Sequence, residues 1–393
     1  MTTRIAAASV ALALCTMALR AQTPAKPLNI YFIDTEGGHA TLYISPAGES
    51  LLADTGNPGD RDVDRIMAVI ADAGLKQIDY LLLTHYHLDH VGEVEALAKR
   101  IPIRHFFDHG PTVETREQVP GFQAMYAALI EKAGADSHKV VKPGDKIPVA
   151  GLNVEIVTSA GEVLKKPMAG AGKPNPECAN FAKQAENTDP ENAQSAGFVM
   201  EYGKFRTINL GDFVYNKEVE LMCPNNPIGT VDLYLTSHHG TDQSGSAALV
   251  HALRPRVAIM DNGTRKGGAV KVFDVLHTSP GLEDIWQLHY SYTGGLENNT
   301  AGVYVANIED PVILGNALAN PPAPGGRGGG GGGGGGRGAS GGAAGGRGGG
   351  GGGGGRGGGH TGPAFWIKVS ALPDGSFTVL NTRNSFTKTY ARH

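Results

Sequence analysis

Short runs of β-branched and aromatic residues recur along this chain, with turn-forming residues between them. Residues 28–34 and 40–44 are two such runs, separated by Glu36-Gly37-Gly38 and followed by Ser45-Pro46-Ala47-Gly48, and they predict a β-hairpin. Residues 51–54 form a third run, which ends where Thr55-Gly56-Asn57-Pro58-Gly59 forces a turn. From Asp60 onward the period changes: Val63, Ile66, Met67 and Ile70 fall at helical spacing, acidic residues occupy the first turn and Gly74 supplies a stop. The continuous apolar run 80–83 suits a strand buried on both faces. Farther on, 147–149 with 154–157, 197–201 with 205–210, 231–236 and 257–260 predict further strands. Strands alternating with helix imply a layered α/β fold.

Two stretches break this rhythm. Residues 159–196 are rich in Gly, Pro, Asn and Lys with little periodicity, and read either as a lid or substrate-binding wall or as a solvated insertion. Residues 325–359 are nearly all glycine, broken by Arg327, Arg337, Arg347 and Arg356, and cannot bury apolar surface, so an Arg/Gly-rich insertion over 321–363 is expected to be disordered. Beyond it, 365–369 and 376–380 flank Pro373-Asp374-Gly375, a hairpin signal. An isolated hairpin is marginally stable, so residues 364–393 are expected to pack on a main domain spanning 27–315 and close its sheet.

Composition narrows the class. With 40% hydrophobic and 18% charged residues the chain can bury a sizeable core. A formal charge of -4, and glycine-embedded arginines without interleaved aromatics, do not favour nucleic acid. Arg4 precedes the apolar run 5–19, and a small-residue cleavage point follows at Ala21, the pattern of a signal peptide over 1–21 and of a secreted or periplasmic protein. A buried N-terminal helix is the alternative. The run is short for a bilayer, Leu14 before Cys15 argues against a lipoprotein, and no second apolar stretch is long enough for an anchor. Without the leader, Cys178 and Cys223 remain, enough for one disulfide at most.

The chemistry gathers after the run 80–83, where Thr84-His85-Tyr86-His87-Leu88-Asp89-His90 gives the pattern HxHxDH. Side chains two apart on extended backbone share a face, so His85 and His87 are expected to converge on one metal while Asp89 and His90, past the bend, reach a second. Imidazole and carboxylate donors suit Zn²⁺ at about 2.0–2.2 Å, and a position left open to water makes such a site catalytic.

That run, continued by Val91-Gly92, resembles the signature of the metallo-β-lactamase superfamily, which implies an αββα sandwich, α/β in class, with metals at one edge. Leu52-Ala53-Asp54-Thr55-Gly56 is similar to the family's first strand-end aspartate, which implies a supporting role for Asp54. Leu210-Gly211-Asp212 is similar to its later Gly-Asp, whose aspartate bridges two metals. Thr236-Ser237-His238-His239-Gly240 is similar to its last ligand motif. With Asp34-Thr35-Glu36-Gly37-Gly38-His39-Ala40 placed ahead of these, the order is most similar to the ComEC-type hydrolase-domain branch, with related motifs in choline-phosphate esterases of teichoic acid. The matches run from Ile30 to about Gly263. Two departures stand out: Glu36-Gly37-Gly38-His39 replaces the usual Gly-Gln-Gly-Asp, and the family spacing back from Asp212 lands on Asn192 where a third histidine is expected.

The resemblance implies a first metal held by His85, His87 and, weakly, the carbonyl of Asn192, and a complete second site of Asp89, His90, Asp212 and His238, occupied first. Asp89 would also orient the attacking water. His239 would be free as a proton donor or substrate contact. His39 and Asn262 are tentative substrate contacts, with an ordinary loop histidine and a turn-forming Asn-Gly as the alternatives. His105 and His109 sit beside a neighbouring strand end, and Arg265 and Lys266 suit an anionic group such as phosphate, or are surface charges. The expected function is an exported hydrolase using a Zn²⁺-activated water, with Mn²⁺ the other candidate ion, on a small-molecule or cell-envelope ester, a phosphodiester foremost. The alternatives are a binding protein with one structural metal on the same fold and, third, a true β-lactamase.

Overall fold

The computed structural model describes residues 25–114, 121–185, 190–308, 315 and 362–392. The expected leader over 1–21, and the expected insertion over 321–363 apart from its last two residues, lie outside them. Two mixed sheets face each other. The first runs Phe386–Tyr390, Phe377–Asn381, Ile367–Ala371, Leu28–Phe32, Thr41–Ile44, Ser50–Ala53, Ile78–Leu82, Ile103–Asp108, His138–Val140. The second runs Val305–Asn307, Asp284–His289, Val257–Met260, Leu233–Leu235, Phe205–Asn209, Gly197–Tyr202, Asn153–Ser159, Lys146–Ile147, with Glu162–Val163 paired onto Asn153–Ser159.

Strand alternation sorts the apolar side chains into layers. Leu28, Ile30, Phe32, Leu51, Ala53 and Leu82 from one sheet meet Ile156, Phe198, Met200, Leu233, Ile259 and Trp286 from the other in the central core. The opposite faces carry Tyr31, Ile33, Leu52, Leu81 and Leu83 under the helices Arg61–Asp72, Val94–Arg100 and Phe122–Ala133. On the far side Val157, Val199, Ile208, Tyr234 and Ala258 pack under Tyr215–Met222, Ala247–Leu253 and Val270–His277. The molecule is thus an αββα sandwich, and each fully buried large apolar side chain contributes roughly 1.5–3 kcal/mol to it. Among the described residues no helix is long and apolar enough to cross a membrane.

Ile367–Ala371 and Phe377–Asn381 pair around Pro373-Asp374-Gly375, and Ile367–Ala371 runs antiparallel to Leu28–Phe32. A third strand, Phe386–Tyr390, joins them. Its middle residues Thr387, Lys388 and Thr389 are polar and partly exposed, which hides it from a hydrophobic pattern. The irregular stretch after Ser159 is neither a free lid nor a solvated insertion over its first part: Leu164 and Met168 are buried in the outer core, Lys173–Pro174 pairs with Asn225–Asn226, and Cys178 is disulfide-bonded to Cys223.

Parallel pairing positions the site. Ser50–Ala53, Ile78–Leu82 and Ile103–Asp108 are parallel neighbours, as are Phe205–Asn209, Leu233–Leu235, Val257–Met260 and Asp284–His289. Their carboxyl ends therefore deliver Asp54, the His85–His90 run, Asp212, the His238–His239 pair and Asp261 to one edge, where parallel sheets commonly bind ligands. Gly211 makes the two sheets meet there. Its φ is +55°, and a Cβ on it would stand 2.8 Å from Thr84.

Candidate metal centre

The strand Ile78–Leu82 gives way to a bend, and the short helix Leu88–Val91 follows. His85 Nε2 lies 3.0 Å from His87 Nδ1 and 3.9 Å from Asp212 Oδ2. His90 Nε2 lies 3.2 Å from Asp212 Oδ1 and 3.4 Å from Asp89 Oδ2. Asp212 thus presents one oxygen to each half of the motif. The donor atoms form two sets, each within 4.8 Å: His85, His87 and Asp212, and Asp89, His90, Asp212 and His239.

The second set corrects the expected roles of the adjacent histidines. His239, not His238, joins it, with Nε2 3.3 Å from both Asp89 Oδ2 and Asp212 Oδ1. His238 turns to the other oxygen, its Nε2 3.3 Å from Asp212 Oδ2. Consecutive side chains on extended backbone point to opposite faces, and this pair does not, because both residues are left-handed, with φ 54° and 56°. Such geometry costs roughly 1–3 kcal/mol per non-glycine residue and is found where function holds it in place.

Outer partners fix each ring. Asp54 Oδ2 accepts from His90 Nδ1 at 2.7 Å and from Thr84 Oγ1 at 2.6 Å, and its Oδ1 accepts from Thr84 N. Asp261 Oδ2 stands 3.3 Å from His239 Nδ1. His90 gives its Nδ1 proton outward to Asp54, and the Nε2 atoms of His90 and His239 are buried without a hydrogen-bond partner and face carboxylates, as His239 Nδ1 faces Asp261. Lone pairs of nitrogen and carboxylate oxygen facing each other suit a shared cation, so these residues fit divalent metal ions. Burial pushes the Asp89 carboxyl up, but the Lys266 ammonium against it more than offsets this and holds it well below the usual range.

Lys266 enters from the loop after Val257–Met260 and its ammonium contacts Asp89 Oδ2. The side chains of Lys266 and Asp89 are 32% and 19% exposed, whereas His85, His90 and His239 are fully covered, so the centre opens on the Lys266 side. The loop is pinned. Glu36 Oε1 accepts from Thr264 Oγ1 and N, Gly37 packs against Lys266 Cβ, and a Cβ on Gly267 would stand 1.9 Å from His239 O. The departure from the branch motif at Glu36-Gly37-Gly38-His39 therefore holds the lysine loop.

Other expected contacts fall elsewhere. His39 is buried behind the centre, Nδ1 2.7 Å from Asp261 Oδ2 and Nε2 3.1 Å from Asn209 Nδ2, so it does not face substrate. Asn262 is also buried, its amide protons given to Gly263 O and His289 O, which makes it a loop brace. His105 stacks on Tyr80, and His109 Nε2 donates to Glu191 Oε1 at 2.9 Å. Arg265 lies over the Tyr292 ring. Asn192 is buried in a short turn with its Oδ1 unpartnered. Three functional carboxylates escaped the sequence reading. Asp261 follows a readable strand and could have been found there. Glu191 ties Tyr86 N, His109, Thr112 and Val113 together, and Glu114 lies 3.7 Å from His87 Nε2; neither stands in a motif. A further group, Asp34, Glu36 and His289, also has donors within 4.8 Å, but Arg65 lies 2.9 Å from Asp34 and balances its charge.

A sandwich whose parallel strand ends bring two histidine and carboxylate sets to one shared aspartate defines a candidate divalent-metal centre. Residues 33–172 match the model of the metallo-beta-lactamase superfamily. It is 26% identical over 195 residues to ComE operon protein 3 of Bacillus subtilis, covering 48% of this chain and 20% of that protein. It is 24% identical over 240 residues to a UPF0173 protein of Pyrococcus abyssi, covering 60% and 86% respectively. A UPF0173 metal-dependent hydrolase of Flavobacterium johnsoniae is 42% identical over 65 residues, 16% of this chain and 25% of that one. The chain thus spans a fifth to a quarter of two of these relatives and most of the other.

Proposed function

We propose that this protein is an exported metal-dependent hydrolase acting on an anionic ester, a phosphodiester foremost. The observation that carries the anionic preference is Lys266, a cation on the accessible side of the centre and in contact with Asp89. Divalent ions held by the two donor sets, zinc or manganese by donor type, supply Lewis acidity and lower the pKa of water towards about 7. Asp89, partly exposed, is placed to accept a hydrogen bond from the attacking water. Lys266 is placed to meet the anionic oxygen of the ester as charge grows on it. Asp54 keeps the Nδ1 proton of His90 turned away from the reaction, and Asp261 stands behind the His239 ring.

Export is supported by the apolar leader and by the Cys178–Cys223 disulfide, which suits an oxidising compartment. The relatives' names fit a metal-dependent hydrolase and, for ComE operon protein 3, a cell-envelope setting is in keeping. The test is a panel of bis-p-nitrophenyl phosphate, a phosphocholine ester, a lactone and a cephalosporin, run with Zn²⁺ and with Mn²⁺. Turnover is expected on the phosphodiesters. A tightly held ion with no rate on any member would sink the hydrolytic reading.

A further inference from the structure

The sequence supplies no third histidine for the first ion, yet it supplies an extra one at the second motif. We propose that His238 is a ligand of the first ion and stands in for the imidazole missing at Asn192. The inference rests on the metal-dependent reading above.

The hydrogen bonds settle which nitrogen of His238 carries the proton. Ser244 Oγ donates to Phe213 O at 2.7 Å, so the hydroxyl presents a lone pair to His238 Nδ1, 3.4 Å away. Nδ1 is then the donor and Nε2 is bare. That bare nitrogen faces Asp212 Oδ2 at 3.3 Å, the oxygen that also lies 3.9 Å from His85 Nε2. Two lone pairs directed at each other in a buried site repel unless a cation lies between them. His239 Nε2 faces the other oxygen of Asp212 at 3.3 Å, with Asp261 Oδ2 behind the ring.

The backbone is consistent with this use. His238, His239 and Gly240 are left-handed in succession, which sends both imidazoles inward to opposite oxygens of one carboxylate. A proton donor or spare histidine would need one inward ring, and one ring needs no such turn. His238 lies outside the 4.8 Å grouping of His85, His87 and Asp212 and meets that group through Asp212 Oδ2.

The test is metal titration of the stripped full-length protein with Zn²⁺ and Mn²⁺, followed by equilibrium dialysis and elemental analysis. His238→Ala is expected to weaken one ion by at least about tenfold while the other dissociation constant stays within about threefold, and His239→Ala to weaken the other ion. In Co²⁺-loaded protein, His238→Ala is expected to alter the absorption of one site alone. Both constants unchanged in His238→Ala, or loss of the first ion in Asn192→Ala instead, overturns the proposal. Should His238→Ala fail to fold, Ser244→Ala removes the hydroxyl that holds Nδ1 and is expected to weaken the same ion several-fold; an unchanged constant there also overturns it. Two ions bound with no ester turned over would defeat the hydrolytic reading and leave this assignment standing.

Discussion

Asp261 holds His239 from behind, its Oδ2 3.3 Å from the ring Nδ1, and the same oxygen lies 2.7 Å from Nδ1 of His39. His39 Nε2 faces the Asn209 amide nitrogen, a donor, which leaves the His39 proton on Nδ1. One carboxylate oxygen therefore takes the His39 proton and stands at ion-pair distance behind a metal-facing imidazole. Asp261→Asn is expected to lower metal affinity about 10–100-fold with the fold intact, and Asp54→Asn to do the same through His90. Chelator competition measures both, and affinities equal to wild type would remove these carboxylates from the centre.

Lys266→Met separates charge from packing, since it keeps the apolar stem that touches Gly37. A charge-assisted contact contributes about 2 kcal/mol, so kcat/KM on an anionic diester should fall roughly thirtyfold. A neutral lactone or carboxylic ester should hold its rate. Equal losses on both substrates would mean that the lysine supports structure and does not read substrate charge.

The disulfide closes a loop of 45 positions and ties the stretch after Ser159 to the end of the helix Tyr215–Met222. Loop entropy of that length corresponds to about 4 kcal/mol, an upper figure because the Lys173–Pro174 ladder also anchors the segment. Cys178→Ser with Cys223→Ser is expected to lower the urea midpoint and leave metal affinity within about threefold, because the bond sits in the outer helical layer. An unchanged midpoint would show that packing of Leu164 and Met168 suffices.

Glu218 is buried beneath the turn at Gly245 and Ser246, whose amides it binds at 2.8 and 2.7 Å. Burial is the larger influence and raises its carboxyl to about 7, the amide donors opposing it. A folded value above the unfolded one means the fold keeps the proton after the unfolded chain has lost it. This contribution, about 3 kcal/mol, is complete below about pH 4.5 and drains away as pH rises through 7. Tm of the metal-loaded protein should therefore fall from pH 5 to 8, and Glu218→Gln should flatten that slope. A slope that survives the substitution would place its origin elsewhere.

Much of the sandwich is legible in the sequence because alternation along strands such as Leu28–Phe32 and Phe205–Asn209 must match two cores at once. The helix Phe122–Ala133 carries a readable face too, with Phe122, Tyr126, Leu129 and Ile130 at helical spacing, which motif-led reading passes over. The site is legible as a set of residues and less so as a set of roles. His239 takes the place expected for His238 because the backbone turns left-handed at both residues, and Gly240 is a weak signal of such a turn. His39 and Asn262 look like substrate contacts because they are polar and sit at strand ends. Polar groups there also satisfy buried backbone and carboxylates, and a sequence does not distinguish the two duties.

The strand that begins the first sheet finds one of its two neighbours at the far end of the chain, where Asn29 meets Ser370 across 341 positions. A ribosome that has released everything up to the glycine tract has released a sheet with an unpaired edge at Leu28–Phe32. The first sheet reaches its full width when Ile367–Ala371, Phe377–Asn381 and Phe386–Tyr390 have followed, so this edge waits on the latest of the described strands.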